Sequence, residues 1–278
     1  MQIVMFNRSE IMPELPEMET YKSLLQPIIG GQSITEVMIN REKSINVPIE
    51  EFASLVLHQK INVIERRAKY LVFHLQNGSC LLLHLMLGGR MFYGKEEDRP
   101  DRTVQVQLSF GNHHLYFIGL RLGYLHLLSP EMIQQEFQHI GPEPLDQSFS
   151  LHTFQTIIKD KRGGLKTTLL NQEVIAGIGN RYSDEILWHA QLLPERKTNE
   201  LDTDELARLY ESMQYILQKG IQQGGYMEEP LFKGDGKTGD YEMYVHSREG
   251  ENCRRCHSLI VMKEISSRKT YFCQDCQH

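Results

Sequence analysis

The sequence has no stretch able to span a bilayer. Its longest apolar run, Cys80 to Leu87, is interrupted by His84 and falls far short of the roughly 20 apolar residues a spanning helix needs. That run is expected to be a buried strand, and no membrane partner is expected. A secretory signal is missing too: MQIVMFNRSEI at the start carries one basic side chain and no long apolar core, which points to the cytoplasm. Positive charge is not in excess. Thirty Lys and Arg stand against 36 Asp and Glu, for a net charge of −6, which argues against a partner held by bulk electrostatics, such as nucleic acid. There is no internal repeat and no low-complexity tract, so solenoids and disordered tails are excluded.

What is present is local. Basic residues gather at Arg66, Arg67 and Lys69, at Lys159, Lys161, Arg162 and Lys166, and at Arg254, Arg255, Lys263, Arg268 and Lys269. A single run of this kind is usually a solvated face; three of them keep a phosphate-bearing partner in play. After Pro16 the apolar positions Met18, Tyr21, Leu24, Leu25 and Ile28 recur at helical spacing until Gly30-Gly31, predicting an early amphipathic helix. From Ile34 to about Leu128 the pattern turns to short β-rich runs separated by signals such as Asn77-Gly78 and Gly111-Asn112, predicting a β-sandwich or barrel.

The pattern breaks at Gly141-Pro142-Glu143-Pro144, and helical periodicity follows over 151–159, 165–174, 182–190 and 202–222. A Gly-rich loop over 224–239 leads to the cysteines. The expected class is α+β and multidomain: an N-terminal β-sandwich domain over 13–132, a linker over 133–150, a helical domain over 151–240 and a C-terminal zinc finger over 241–278.

Four of the five cysteines are spaced Cys253-x-x-Cys256 and Cys273-x-x-Cys276, the spacing of two thiolate knuckles on tetrahedral zinc. Two disulfides are the alternative, and a reducing cytosol argues against them. One structural zinc is expected. The short hairpin between the knuckles buries too little surface to fold unaided, so the metal supplies the missing folding energy. Cys80, in an apolar run, reads as a small core residue.

The segment MPELPEMET (12–20) closely resembles the N-terminal signature of the formamidopyrimidine-DNA glycosylase / endonuclease VIII family. The resemblance continues in order through RRAKYL (66–71), HLMLGGR (84–90), GPEPL (141–145), LLNQEVIAGIGNRYSDEIL (169–187) and SSRKTYFCQDCQ (266–277). It implies a bifunctional DNA-repair enzyme built from a β-sandwich, a helix-two-turns-helix module and a zinc finger. Its partner would be double-stranded DNA carrying a damaged base, bound by a monomer in the cytoplasm and acting on the nucleoid. By the same resemblance Pro13, once N-terminal, is the nucleophile and Glu14 the acid beside it, with Lys69 assisting near the lesion and Arg268 gripping the flanking phosphate. An α-amino group with pKa near 8 is partly unprotonated at neutral pH, which suits that role. Glu14, read without the family, is a helix-start carboxylate complementing the dipole. Asn180, Lys166, Lys161 and Arg121 are expected on phosphates, with His84 as a further contact.

Two departures from the family pattern stand out. Members that read oxidised guanine opposite cytosine fill the gap left by the extruded base with methionine, arginine and phenylalanine. Here HLMLGGR and IGLRLG place Leu87, Leu120 and Leu122 at those positions. Leucines can wedge a base stack open but cannot hydrogen-bond an orphaned cytosine, so weak discrimination of the opposite base is expected. The second departure is that residues 1–12 precede Pro13, whose nitrogen is then an amide. Arg8-Ser9-Glu10 can be encoded by a run resembling a ribosome-binding sequence, so translation is expected to start at Met12. With the extension retained, the alternative is a non-catalytic damaged-DNA binding protein.

Overall fold

The structure, a computed structural model, describes residues 11–278; most of the leader just discussed, including Arg8-Ser9-Glu10, lies outside the described residues. The elements in chain order are α1 (Leu15–Ile29), β1 (Glu36–Ile39), α2 (Ile49–Val56), β2 (Ile61–Arg67), β3 (Tyr70–Leu75), β4 (Cys80–His84), β5 (Arg90–Gly94), β6 (Val104–Phe110), β7 (His113–Ile118) and β8 (Tyr124–Leu128), then α3 (Pro130–Phe137), α4 (Leu151–Ile158), α5 (Leu165–Leu170), α6 (Asn180–His189), α7 (Thr203–Gln222), β9 (Ile260–Ile265) and β10 (Arg268–Cys273). Among the described residues no helix is long and apolar enough to cross a membrane.

The chain divides into two compact units. The first comprises Glu17–Gln138 and Met227–Gly239 together with the segment ending at Pro13; the second comprises Glu14–Pro16, His139–Tyr226 and Asp240–His278.

In the first unit two antiparallel four-stranded sheets, ordered β1-β6-β7-β5 and β2-β3-β4-β8, form the expected sandwich. Side chains alternate across a strand, so Leu71, Phe73 and Leu75 of β3 join Leu81 and Leu83 of β4 in one core with Val106, Leu108, Leu115 and Phe117. Met18, Tyr21, Leu25 and Ile29 of α1 enter the same core, which is why that helix is apolar along one stripe only. The outward residues Val72, Cys80, Leu82 and Leu128 are also buried, because Ile133 and Phe137 of α3 pack over them.

That helix corrects the expected linker. Pro130–Phe137 starts on Ser129, whose side chain accepts from the Met132 N–H, with proline at its first turn, both strong helix-start features. A second correction concerns the Gly-rich loop: Met227–Gly239 packs with the sandwich rather than with the helices. The Tyr93 N–H donates to Leu231 O at 2.6 Å, Tyr93 and Phe232 form a parallel bridge, and Leu231 is fully buried in the sandwich core.

In the second unit the helical run appears as expected, with α7 opened by a reciprocal Asp202–Glu205 capping box. The β9–β10 hairpin turns on Ser266 and Ser267, both at positive φ (50° and 58°), the signature of a tight hairpin turn.

Candidate functional site

The site is built around the N-terminus of α6. The Gly177-Ile178-Gly179 turn delivers the chain to that helix, and the Glu14 carboxylate lies across it. Its oxygens accept from the N–H groups of Gly179 (2.6 Å), Arg181 (2.9 Å) and Tyr182 (3.3 Å). These are the donors a helix leaves without intrahelical partners, at the positive end of its dipole. Glu14 is almost fully buried, so its carboxylate is solvated by protein amides instead of water. Leu15 N–H donates to Gly177 O at 3.0 Å, which pins the residue next to Glu14 to the same turn. Both glycines are required by space. A β-carbon on Gly179 would sit 2.5 Å from Glu14 Oε1, and one on Gly177, at φ 84°, would meet the Leu15 side chain at 2.7 Å.

Behind this turn lies a buried charge cluster that sequence reasoning missed. Lys166 of α5 and Asp184 of α6 are both 0% exposed, with Nζ to Oδ1 at 2.5 Å, and Nζ also donates to Asn180 O at 2.7 Å. The second Asp184 oxygen receives His246 Nδ1 (2.6 Å) and the Tyr271 N–H of β10 (3.1 Å). Next to it Glu185 accepts from the N–H groups of Tyr244 (2.6 Å), Val245 (2.9 Å) and His246 (3.0 Å). Burial pushes the Glu185 carboxyl up to about 7 against the pull of those donors, and burial pulls Lys166 and His246 down despite Asp184 beside them. The available signal was an Asp-Glu pair inside the apolar helix YSDEILWHA, where charges survive burial only when fully partnered.

Lys166 corrects an expectation. Its ammonium has no exposed surface and is committed to Asp184 and to the first carbonyl of α6, so it braces the turn rather than meeting a phosphate. Asn180 is half-buried: Nδ2 donates to Lys269 O at 2.9 Å, while Oδ1 is buried without a partner. Lys161 and Arg268 are exposed, on the loop after α4 and at the start of β10.

In the sandwich unit Lys69 occupies the two-residue turn between β2 and β3, beside Ala68 at φ 52°, and is buried. His84, at the end of β4, is pushed down to about 4, first by burial and then by the charge of Lys69. At neutral pH it is therefore an uncharged donor or acceptor, not a cation. Arg121 is exposed.

The three leucines of the wedge loops separate. Leu87 is 43% and Leu122 59% exposed, whereas Leu120 is 0% exposed in the sandwich core. Leu120 as a wedge is thereby corrected. Its backbone is locked: Gln105 Oε1 accepts the Leu120 N–H (3.2 Å), and Arg41 donates to Leu120 O (3.1 Å) and Arg121 O (3.2 Å). Gly119, at φ 72°, packs directly against Gly88 O, so the loops bearing Leu87 and Leu122 touch backbone to backbone.

At the C-terminal end of the chain the four thiols of Cys253, Cys256, Cys273 and Cys276 converge, all within 4.8 Å of one another. Cys253 and Cys276 are 3.7 Å apart and Cys256 and Cys273 3.3 Å, too far for disulfides. A tetrahedron with Zn–S near 2.3 Å has edges of about 3.8 Å, so the donor set fits zinc.

Comparison with known proteins agrees with this geometry. Residues 12–124 match the formamidopyrimidine-DNA glycosylase N-terminal domain, 140–229 the formamidopyrimidine-DNA glycosylase H2TH domain, and 250–278 a zinc finger found in FPG and IleRS. Formamidopyrimidine-DNA glycosylase of Pelotomaculum thermopropionicum is 35% identical over 273 residues, covering 96% of this chain and 99% of that protein. The enzyme of the same name from Desulfitobacterium hafniense is 34% identical over 272 residues, covering 96% and 100%. Among solved structures, the wild-type Lactococcus lactis Fpg (MutM) in complex with DNA containing N7-benzyl-Fapy-dG superposes with a TM-score of 0.89 at 31% identity, covering 96% of this chain and 100% of that one. The L. lactis Fpg complex with abasic-site DNA gives 0.89 at 31%, covering 95% and 99%. With the Glu14 seat, the thiol cluster and three consecutive domain matches in agreement, the chain belongs to the formamidopyrimidine-DNA glycosylase family.

Proposed function

We propose that this protein is a base-excision repair enzyme that removes oxidised bases from duplex DNA and then cuts the strand at the resulting abasic site. The observation that carries the reading is the seat of Glu14: a buried carboxylate held by three helix-terminal amides, directly after Pro13. The Pro13 nitrogen, as a secondary amine, attacks the sugar C1′ while the bond from C1′ to the base breaks, and the base leaves with a proton. Glu14 handles that proton. The amine's own proton is lost and the C1′–O4′ bond opens with a proton delivered to O4′. The product is an open-chain iminium with no N–H proton to lose, a cation that acidifies C2′. Loss of a C2′ proton expels the 3′ phosphate, and a second elimination expels the 5′ phosphate.

Lys69 assists at the lesion, and Arg268 grips the flanking phosphate. Arg121, Lys161, Asn180 and His84 contact the backbone, His84 as an uncharged group. Leu87 and Leu122 fill the gap left by the extruded base. One zinc on Cys253, Cys256, Cys273 and Cys276 holds the finger and takes no part in the chemistry. We place the activity in the cytoplasm, on the nucleoid, carried out by a monomer. The domain reading that fits is a sandwich carrying the Met227–Gly239 strap, and a helical unit carrying the finger.

The reading requires a free Pro13 nitrogen, and the first residue matched by the family's N-terminal domain is Met12. Residues ahead of Pro13 favour the second reading, a non-catalytic binder of damaged DNA. Borohydride reduction separates the two. A protein whose first residue is Pro13 should give a covalent adduct with lesion-bearing duplex, and Pro13→Gly should lose excision and nicking together. No adduct, or an active Pro13→Gly variant, refutes the mechanism.

A further inference from the structure

The thiol cluster is not isolated from the helices. Trp188, the single tryptophan of the chain, lies near the C-terminal end of α6, 5% exposed, and its indole Nε1–H donates to Cys253 Sγ at 3.3 Å. Arg255, inside the first knuckle, lays its guanidinium over the Trp188 ring at 4.2 Å. Its Nη1 reaches Cys276 Sγ at 3.6 Å and Trp188 O at 3.0 Å, and its Nη2 reaches His189 O at 3.4 Å. Tyr244 also stacks on the indole, with centroids 4.6 Å apart and planes at 14°. One thiol from each knuckle therefore receives a side-chain N–H from outside the ligand set, and one of these donors belongs to a helix far away in sequence.

We propose that Trp188 and Arg255 are the donors that retain the metal: their N–H bonds to the Cys253 and Cys276 sulfurs hold zinc against chelators and thiol reagents. The inference rests on the zinc reading given above. Four thiolates around a divalent ion leave the centre doubly negative. Such sulfurs are basic and nucleophilic, and zinc departs when one of them is protonated or captured. A hydrogen bond to a ligand sulfur withdraws charge from it and lowers both reactivities, while fixing the direction of the lone pair that binds the metal. Arg255 adds a full positive charge and ties the knuckle to the last carbonyls of α6, where a cation is favoured. The stacked Tyr244 and the buried setting keep water from replacing either donor.

Packing and hydrogen bonding can be separated because the tryptophan is unique. Replacing it during expression with the benzothiophene analogue keeps the ring volume and puts sulfur where the N–H was. The full-length zinc-loaded protein is mixed with an excess of a chromophoric chelator, and the rate of metal transfer is read. The analogue-bearing protein, Trp188→Phe and Arg255→Met should each release zinc on the order of tenfold faster than the unmodified chain. If the analogue-bearing protein releases at the unmodified rate, the N–H bond does not retain the metal and the proposal is overturned, even where Trp188→Phe is faster through lost packing. Metal content measured on the starting protein distinguishes the two layers of the argument. A chain that carries no zinc overturns the zinc reading, and the retention proposal with it.

Discussion

Gly179→Ala tests the seat of Glu14 without touching an ionisable group. The added methyl would stand 2.5 Å from Glu14 Oε1 and 2.7 Å from Cγ, distances no carbon tolerates. The carboxylate must therefore leave, giving up the N–H groups of Gly179, Arg181 and Tyr182. Hydrogen bonds to a charged group contribute about 1.5–3 kcal/mol each. Relaxation and water entry recover part of the sum, so a net loss of about 3 kcal/mol is expected. For a unit of this size that lowers the melting midpoint by roughly 6–12 °C. Excision should fall further than stability implies, on the order of a hundredfold, because displacement of a catalytic group by about 1 Å costs that much. Calorimetry and single-turnover excision of a formamidopyrimidine-bearing duplex measure the two effects. A variant that melts within a degree of the parent and excises at the parental rate would mean that the amide seat does not organise Glu14.

Glu185 predicts a pH dependence. Its carboxyl is raised from 4.5 in the unfolded chain to about 7 in the fold, so the folded state holds the extra proton between those values. The associated stability is complete below 4.5 and is lost as pH rises through about 7, at a slope near 1.4 kcal/mol per pH unit. Glu185→Gln should remove that slope. Unfolding free energies of the two proteins followed from pH 4 to 8 should diverge; parallel curves refute the assignment. The wedge loops predict substrate behaviour: with Leu87 and Leu122 exposed and Leu120 buried, the three wedge positions carry no side-chain group that can hydrogen-bond the orphaned base. One lesion placed opposite each of the four bases should be excised at similar rates, and a preference for cytosine above about tenfold would contradict this.

The sequence alone determined the local and the repetitive. Zinc spacing is a one-dimensional constraint, since two knuckles close around an ion from either end of a short hairpin, and the thiols converge as the spacing requires. The β-rich runs at 70–75 and 104–110 pointed to strands, and strands form there, because β-branched and aromatic side chains suit an extended backbone. The motif around Glu14 placed that carboxylate in the right neighbourhood. The roles of single side chains were decided only by tertiary packing. Leu120 and Leu122 sit two residues apart in one loop, yet Arg41 and Gln105, distant in sequence, turn the first into the core and leave the second outside. Lys166 reads as a free cation until α6 brings Asp184 to it. The Met227–Gly239 strap looks like part of the helical unit until a sandwich strand bonds it. In each case the deciding partner lies on another element, and a chain read residue by residue carries no record of which elements meet.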